Sequence, residues 1–155
     1  MTAGFTPADP EWEFKVRDSF ARQGAMATVG ARLVHVEPGH VHVALDYSDA
    51  IAQQHGYVHG GVVGMIADTA GGYAGFSLMA KDASVLTVEY KLNLVAPADG
   101  ETLVAKGRVV KPGRTLVVTQ ADVFALKGGQ SKLCATMLQT LMTMTGKSDG
   151  RATGR

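Results

Sequence analysis

Cysteine is almost absent from this chain of 155 residues, and Cys134 is the only one. A disulfide within one copy is therefore impossible, and a single thiol fits a reducing compartment. The first residues, MTAGFTPADPEWEF, also lack the basic start and the apolar run of a secretory signal. We therefore expect a cytoplasmic protein.

An excess of charge of either sign is also missing, since the formal net charge is +1. Nucleic-acid binding usually requires a strongly basic face, so nucleic acid is not an expected partner. Hydrophobic residues make up 46 % of the chain and charged residues 19 %, which is typical of a globular protein rather than a disordered one. The length predicts one domain over residues 1–155.

Charge is scarcest between Asp49 and Lys81, where Asp68 is the only formally charged residue. Residues 58–80 are long enough to cross a bilayer, but a central aspartate costs about 2.5–3.5 kcal/mol on insertion scales. We therefore expect a helix buried inside the protein and no membrane partner. A buried carboxylate loses its hydration, so Asp68 needs either a structural pairing partner or a catalytic task.

The pattern of apolar residues predicts two helices and six strands. Trp12, Val16 and Phe20 indicate an amphipathic helix over about 11–24, and the apolar segment indicates a long helix over about 60–79. Alternating residues and turn signals predict strands at about 31–37, 41–47, 86–94, 102–110, 115–126 and 132–144. The polar end, about residues 146–155, is expected to be a flexible tail.

This order predicts an α+β fold in which an antiparallel sheet of about six strands wraps around one long central helix. In particular, the segment from Leu86 to Leu94 alternates between apolar and polar residues with a period of two. A helix that is apolar all round is covered completely only if a second subunit packs on its remaining face. We therefore expect self-association.

Gly60, Gly61 and Asp68 are the candidate reactive groups of the long helix. The two glycines open the helix, where free N–H groups and the positive end of the dipole can hold a carbonyl oxygen. Asp68 can activate water or attack as a nucleophile, but it lies about 12 Å further along the axis. Two antiparallel copies would remove this gap, so the spacing predicts an active site shared between subunits.

Other chemistries have weaker support in the sequence. His55 and His59 are four residues apart, but Gly56 argues against a helix there and no third metal ligand is evident. A G-x-S-x-G elbow is missing, and Cys134 has no activating partner in the sequence. We therefore predict no metal and no cofactor.

One segment resembles a known family. Residues 53–61, QQHGYVHGG, followed by Ala67-Asp68, resemble the signature of hotdog-fold acyl-CoA thioesterases of the phenylacetic-acid-degradation type. Residues 88–97, VEYKLNLVAP, and 111–115, KPGRT, look similar too, so the likeness covers about residues 30–144. It implies a hotdog fold, a homodimer or homotetramer, and hydrolysis of an acyl- or aryl-acetyl-type thioester to a free acid and coenzyme A.

The resemblance also implies roles for single residues. Asp68 matches the catalytic carboxylate, and Gly60, with His59 just before it, matches the backbone donor to the thioester carbonyl. Gln53 falls where a side chain orients substrate or water, and Thr87 falls where some members place a serine that helps position the water.

The phosphates of coenzyme A require cations, which the later strands and turns supply. Arg114, in a turn next to Gly113, is the favoured phosphate ligand. The full set of candidate substrate-binding residues is Gly61, Lys91, Asn93, Lys111 and Arg114.

Two alternatives to a thioesterase remain open at this stage. A hotdog hydratase or dehydratase would also act on an acyl thioester, but the sequence lacks the proline-rich segment expected of the dehydratase branch. A non-catalytic acyl-CoA-binding protein is the other alternative. Asp68 argues against it, because a pure binder has no need for an unpaired acid facing a thioester.

Overall fold

The computed structural model describes residues 4–147, 149 and 150, and it places one long helix against one sheet. The helices are α1 (Trp12–Ala21), α2 (Gly24–Val29) and α3 (Gly60–Phe76), with a short 3-10 turn at Asp49–Ile51. The strands are β1 (Arg32–Glu37), β2 (His40–Asp46), β3 (Ala83–Leu94), β4 (Thr102–Lys111), β5 (Leu116–Lys127) and β6 (Gln130–Thr145).

All six strands form one antiparallel sheet in the order β1-β2-β4-β5-β6-β3. The first hairpin turns at Pro38-Gly39, where Gly39 has a φ of 77°, a conformation that glycine adopts without the strain of a Cβ. The predicted α+β architecture is confirmed. β3 pairs with β6 alone within the sheet, so it lies at one edge, and β1 lies at the other.

The sheet curves around α3, which packs against β2, β3, β4, β5 and β6. The backbones of helix and sheet come close at Gly107 of β4, where an added Cβ would lie 2.2 Å from the carbonyl oxygen of Ala70. Apolar residues on the inner faces of helix and sheet form the core, with Ile66, Leu103 and Met137 fully buried among them. The many small residues of α3 therefore permit close packing of helix on sheet.

One stripe of α3 is not fully covered by the sheet of its own chain. Gly61, Met65, Asp68 and Gly72 stay partly exposed, while most residues between them are buried. Their spacing of four, three and four residues places them on one side of the helix. Asp68 therefore lies on the side of α3 that the sheet of its own chain leaves partly exposed.

The N-terminal helix differs from the prediction. Instead of one helix over about 11–24, α1 ends at Ala21 and a second helix, α2, begins at Gly24. The chain is extended at Gln23, whose side-chain amide donates a hydrogen bond of 2.9 Å to the hydroxyl of Tyr73. This tertiary bond accompanies a break that the periodicity of the sequence does not indicate.

The long helix ends at Phe76 rather than near Met79. Ser77 donates its hydroxyl to the carbonyl oxygen of Ala74 at 2.7 Å and accepts the amide of Gly39 at 2.8 Å. The end of α3 is thus tied to the first hairpin of the sheet.

A bulge interrupts β3, so the predicted unbroken alternation is wrong at Val88. Thr87 pairs with Leu141 and Glu89 pairs with Thr140, which leaves Val88 as an extra residue. As a consequence, Thr87 lies on the inner face of the sheet, with α3.

The predicted tail is described only in part. Position 148 and residues 151–155 lie outside the described residues. Arg22 donates a hydrogen bond of 2.8 Å to the carboxylate of Asp149. This ion pair joins the end of the described chain to the residue that directly follows α1.

Candidate active site

Asp68 lies in the middle of α3 and receives two side-chain hydrogen bonds. The hydroxyl of Thr87 on β3 donates to Oδ1 at 2.7 Å, and the amide of Gln139 on β6 donates to the same oxygen. Within residues 4–147, 149 and 150, no donor reaches Oδ2. One carboxylate oxygen is thus held in place, and the other remains available for chemistry.

Burial raises the pKa of Asp68 above its ordinary value, because the ionised form loses hydration in this half-buried position. The hydrogen bonds from Thr87 and Gln139 act in the opposite direction and lower the pKa. The result is a carboxylate that is more basic than a solvated aspartate and fixed in orientation. Such a group suits proton abstraction from water.

Gln139 is the residue at this site that sequence reasoning missed. Its side chain is fully buried, and its Oε1 accepts a hydrogen bond of 2.8 Å from Thr119. Its Nε2 also donates to the main-chain oxygen of Asp68 at 3.2 Å. A signal was present: Gln139 alternates along β6 with Ala135, Met137 and Leu141, which are apolar and buried.

The start of α3 is capped by His59. Its Nδ1 accepts the amide of Gly61 at 2.9 Å, which leaves any proton of the neutral ring on Nε2. The amide of Gly60 has no acceptor among the described residues. Of the two amides predicted to hold a carbonyl, that of Gly60 is therefore the free one, and Gly61 serves the cap.

Gln53 lies near Gly60 and not near Asp68. Gln53 and Gly60 line a groove of about 500 Å³, together with Leu94 and residues of the segment after β3. The side-chain oxygen of Gln53 accepts the amide of His55, so its amide nitrogen remains the free end. The residue predicted to orient substrate or water thus lies beside the start of α3.

The predicted catalytic residues form two separate groups in one chain. Asp68 and Thr87 line a second groove of about 390 Å³, which does not include Gly60 or Gln53. Gly60 instead approaches the side chain of Leu94, at the opposite end of the inner face of β3. One chain does not bring the carboxylate and the free amide together, in agreement with the spacing along α3.

The predicted substrate-binding cations lie outside both grooves. Lys91 donates to the side chain of Asn93 at 2.8 Å, and both residues pair with outward positions of β6 on the outer face of β3. Lys111, the last residue of β4, and Arg114, in the turn between β4 and β5, are both exposed. This turn is at the end of the sheet that faces the C-terminal half of α3, since Val117 lies close to Gly75.

Metal ligands do not cluster in the part of the chain that the structure describes, where no three His, Cys, Asp or Glu side chains converge. None of the described helices is both long enough and apolar enough to traverse a bilayer.

Residues 55–132 match the family model of the thioesterase superfamily. A curated protein of Saccharolobus solfataricus named "Putative esterase" is 31 % identical over 113 residues, which cover 72 % of each chain. A 1,4-dihydroxy-2-naphthoyl-CoA hydrolase of Listeria monocytogenes is 26 % identical over 100 residues, which cover 64 % of this chain and 81 % of the hydrolase.

Solved structures agree in fold. A thioesterase family protein from Silicibacter pomeroyi is 50 % identical, with a TM-score of 0.86 over 87 % of this chain and 99 % of that protein. The PaaI protein of the phenylacetic acid degradation operon of E. coli is 18 % identical, with a TM-score of 0.79 over 88 % of this chain and 96 % of PaaI. At that identity the PaaI likeness shows the fold alone, so membership of its subgroup stays a prediction.

Proposed function

From the premise that this chain belongs to the thioesterase superfamily, we propose that it is an acyl-CoA thioesterase that releases a free acid and coenzyme A. The observation that carries the proposal is the carboxylate of Asp68, oriented through Oδ1 and free at Oδ2. The Listeria relative, which is a hydrolase of a coenzyme A thioester, supports this substrate class.

Asp68 is the general base or the nucleophile of the proposed reaction. As a base, it takes a proton from water while the water oxygen attacks the thioester carbonyl carbon. The amide of Gly60 stabilises the negative charge on the carbonyl oxygen at the positive end of α3. The carbon–sulfur bond then breaks, the thiolate of coenzyme A leaves, and no cofactor is required.

A dimer through β3 is part of the proposal, because β3 is a long edge strand with exposed apolar side chains. Leu86 and Leu94 are each 57 % exposed, Tyr90 is 49 % exposed and Val88 is 48 % exposed. Proteins normally cover, charge or shorten such an edge, since its free backbone groups pair readily with another strand. A second copy of β3 would form hydrogen bonds with the free backbone groups and cover the apolar side chains.

The geometry of β3 supports a shared site. If two copies pair in antiparallel fashion about a twofold axis at Lys91, and Val88 stays an extra residue as it does opposite β6, Thr87 lies opposite Leu94 of the partner subunit. Thr87 contacts Asp68, and Leu94 lies against Gly60 at the start of α3. The same twofold axis thus brings the carboxylate of one subunit to the free helix start of the other.

Lys111, at the end of β4, and Arg114, in the turn that follows, remain our proposed phosphate ligands. Both are exposed and free of hydrogen bonds to other described side chains, so their charges are accessible to a phosphate. Gln53, in the Gly60 groove, would contact the thioester region from the side of the helix start.

The test is a panel of acyl-CoA substrates with a thiol reagent, applied to the wild type and to Asp68→Asn. Asparagine keeps the shape of the side chain but cannot act as a base, so we expect kcat to fall by about 10²-fold or more. Asp82→Asn is the matched control, because Asp82 is an exposed aspartate outside both grooves.

Near-normal turnover by Asp68→Asn would contradict the assigned role. Absence of thiol release by the wild type from every acyl-CoA would contradict the proposed function. If the product were an enoyl or hydroxyacyl thioester instead of free coenzyme A, the hydratase or dehydratase alternative would be correct.

A further inference from the structure

The groove beside Asp68 extends past the carboxylate toward α1. Its walls are Gly72 and Tyr73 of α3, Val85 and Leu86 of β3, and Ser19, Arg22 and Gln23 of the N-terminal segment. Its volume of about 390 Å³ is well above the roughly 150 Å³ of a cavity that holds benzene and near the lower end of ligand sites. The groove is therefore large enough for a ring-sized group.

A hydrogen-bond cluster forms the far end of the groove. The hydroxyl of Tyr73 accepts the amide of Gln23 at 2.9 Å and lies 3.0 Å from the hydroxyl of Ser19. The two hydroxyls carry two hydrogens, but only one hydrogen can occupy the bond between them. When Ser19 donates, the Tyr73 oxygen accepts two bonds and the hydrogen of Tyr73 is left for a ligand.

The charges of the groove disfavour a carboxylate on the bound acyl group. Arg22 is its only cation among the described residues, and it is bonded to the carboxylates of Asp18 and Asp149. Asp68 adds a further negative charge to the wall. A neutral ligand therefore fits this groove better than an anionic one.

Gly72 lines the groove together with Asp68 and Tyr73. A Cβ at Gly72 would meet no atom within 4 Å, so the space beside it is open. This differs from Gly71 and Gly75, where an added Cβ would clash with side chains of β6. The absence of a side chain at Gly72 is thus not required for packing of the helix on its sheet.

We propose that this groove selects a neutral, ring-sized acyl group that carries a hydrogen-bond acceptor at its far end, through the hydroxyl of Tyr73 and the open position at Gly72. The inference rests on the proposed function, because it takes Asp68 as the reacting end of the groove. Tyr73 and Gly72 are five and four residues from Asp68, so Tyr73 lies about 7.5 Å along the helix axis from it.

The test compares 4-methoxyphenylacetyl-CoA with 4-ethylphenylacetyl-CoA, two thioesters of similar shape that differ in one acceptor oxygen. We expect the wild type to favour the methoxy compound by about threefold to tenfold in kcat/KM, as one hydrogen bond predicts. Tyr73→Phe should abolish this preference and leave the ethyl compound nearly unaffected. A 4-carboxymethylphenylacetyl thioester should be the poorest of the three.

Ser19→Ala is the matched control within the same cluster. Because Tyr73 then has no hydroxyl partner to donate to, its hydrogen remains free and the methoxy preference should persist. Loss of the preference in Ser19→Ala with retention in Tyr73→Phe would overturn the assignment of Tyr73.

The second variant is Gly72→Leu, with Gly72→Ala as a smaller step. We expect Gly72→Leu to reduce kcat/KM for both ring compounds by at least about tenfold while acetyl-CoA hydrolysis changes little, since leucine fills space that only the ring needs. An equal loss for ring compounds and acetyl-CoA would contradict the role of Gly72.

A binding assay separates this inference from the proposed function. It uses non-hydrolysable ketone analogues of the same two ring compounds, in which a methylene stands between the sulfur and the carbonyl. Selective binding without hydrolysis of any thioester would contradict the proposed function alone. Hydrolysis with no methoxy preference in either assay would contradict the inference alone.

Discussion

At the scale of single residues, the properties of Asp68 result from two opposing effects. Burial raises the pKa of its carboxyl group, whereas the donors Thr87 and Gln139 lower it. Gln139 is itself held by Thr119, so the carboxylate is supported by a buried polar chain that runs from β5 through β6 to α3. We therefore regard Gln139 as a positioning residue.

Gln139→Met tests this positioning role. The substitution keeps a similar side-chain volume but removes the donor, so the pKa of Asp68 should rise and the acidic limb of kcat/KM should move to higher pH. A pH profile against one acyl-CoA substrate measures the shift. Gln120→Met, on the outer face of β5, is the control, and an unchanged acidic limb in Gln139→Met would contradict the role.

Stability should also depend on Asp68 in a pH-dependent way. The pKa of Asp68 is raised in the folded state, so folding favours its protonated form and ionisation lowers stability as the pH rises above the ordinary value of 3.8. Asp68→Asn removes this cost. We expect the variant to have a higher Tm than the wild type at pH 7 and a smaller advantage near pH 4.

Thermal unfolding at several pH values measures this difference. The same series for Asp82→Asn controls for the loss of one negative charge at an exposed position. A Tm difference between Asp68→Asn and the wild type that is independent of pH would contradict the prediction.

At the scale of elements, two local features of the sheet determine the site. The bulge at Val88 places Thr87 on the inner face of β3, within hydrogen-bond distance of Asp68. The glycine at position 107 lets α3 approach β4 closely enough for the sheet to enclose it. Both features belong to the backbone. The bulge determines which face of β3 carries the side chain of Thr87, and Gly107 determines how close α3 lies to β4.

Gly107→Ala should destabilise the protein strongly. The added Cβ would lie 2.2 Å from the carbonyl oxygen of Ala70, an atom of the helix backbone that cannot move alone. We expect a loss of about 1–3 kcal/mol or more in the free energy of unfolding, measured in urea. Gly24→Ala, where a Cβ meets nothing within 4 Å, should cost little, and equal effects of the two substitutions would contradict this packing argument.

At the scale of the whole molecule, the proposed dimer makes each active site depend on two chains. Gly60→Pro removes the helix-start donor, because proline is tolerated at the first position of a helix and lacks the N–H. Its Cβ would lie 2.8 Å from the Cδ1 of Leu94, the end of a flexible side chain that can shift. The preceding residue, His59, has a ψ of 135°, which is compatible with a following proline. We expect Gly60→Pro to lower kcat by about 10²–10³-fold.

Mixing the two inactive variants, Gly60→Pro and Asp68→Asn, tests the shared site. Heterodimers formed by refolding an equal mixture contain one intact site, so activity should return to about a quarter of the wild-type value. Each variant refolded alone is the control. A mixture that stays inactive although heterodimers form would show that Gly60 and Asp68 of the same chain act together.

The sequence alone was sufficient to predict the α+β architecture and the separation of Gly60 from Asp68 along α3. Periodicity predicted the long helix and the six strands in their order, though not the break between α1 and α2. The isolation of Asp68 from other charges marked it as a candidate. The axial distance between Gly60 and Asp68 follows from the rise of a helix, about 1.5 Å per residue, so no tertiary information is needed to see that one chain cannot unite them.

Only the tertiary structure determined how Asp68 is held. Gln139 is 71 residues from Asp68 along the chain, and Thr87 reaches it because of a bulge that interrupts the regular alternation. Gln53, in contrast, lies in the groove at the helix start. The physical reason for the difference is that spacing within a helix is local and covalent, whereas contacts between strands and helix depend on register, which one inserted residue changes.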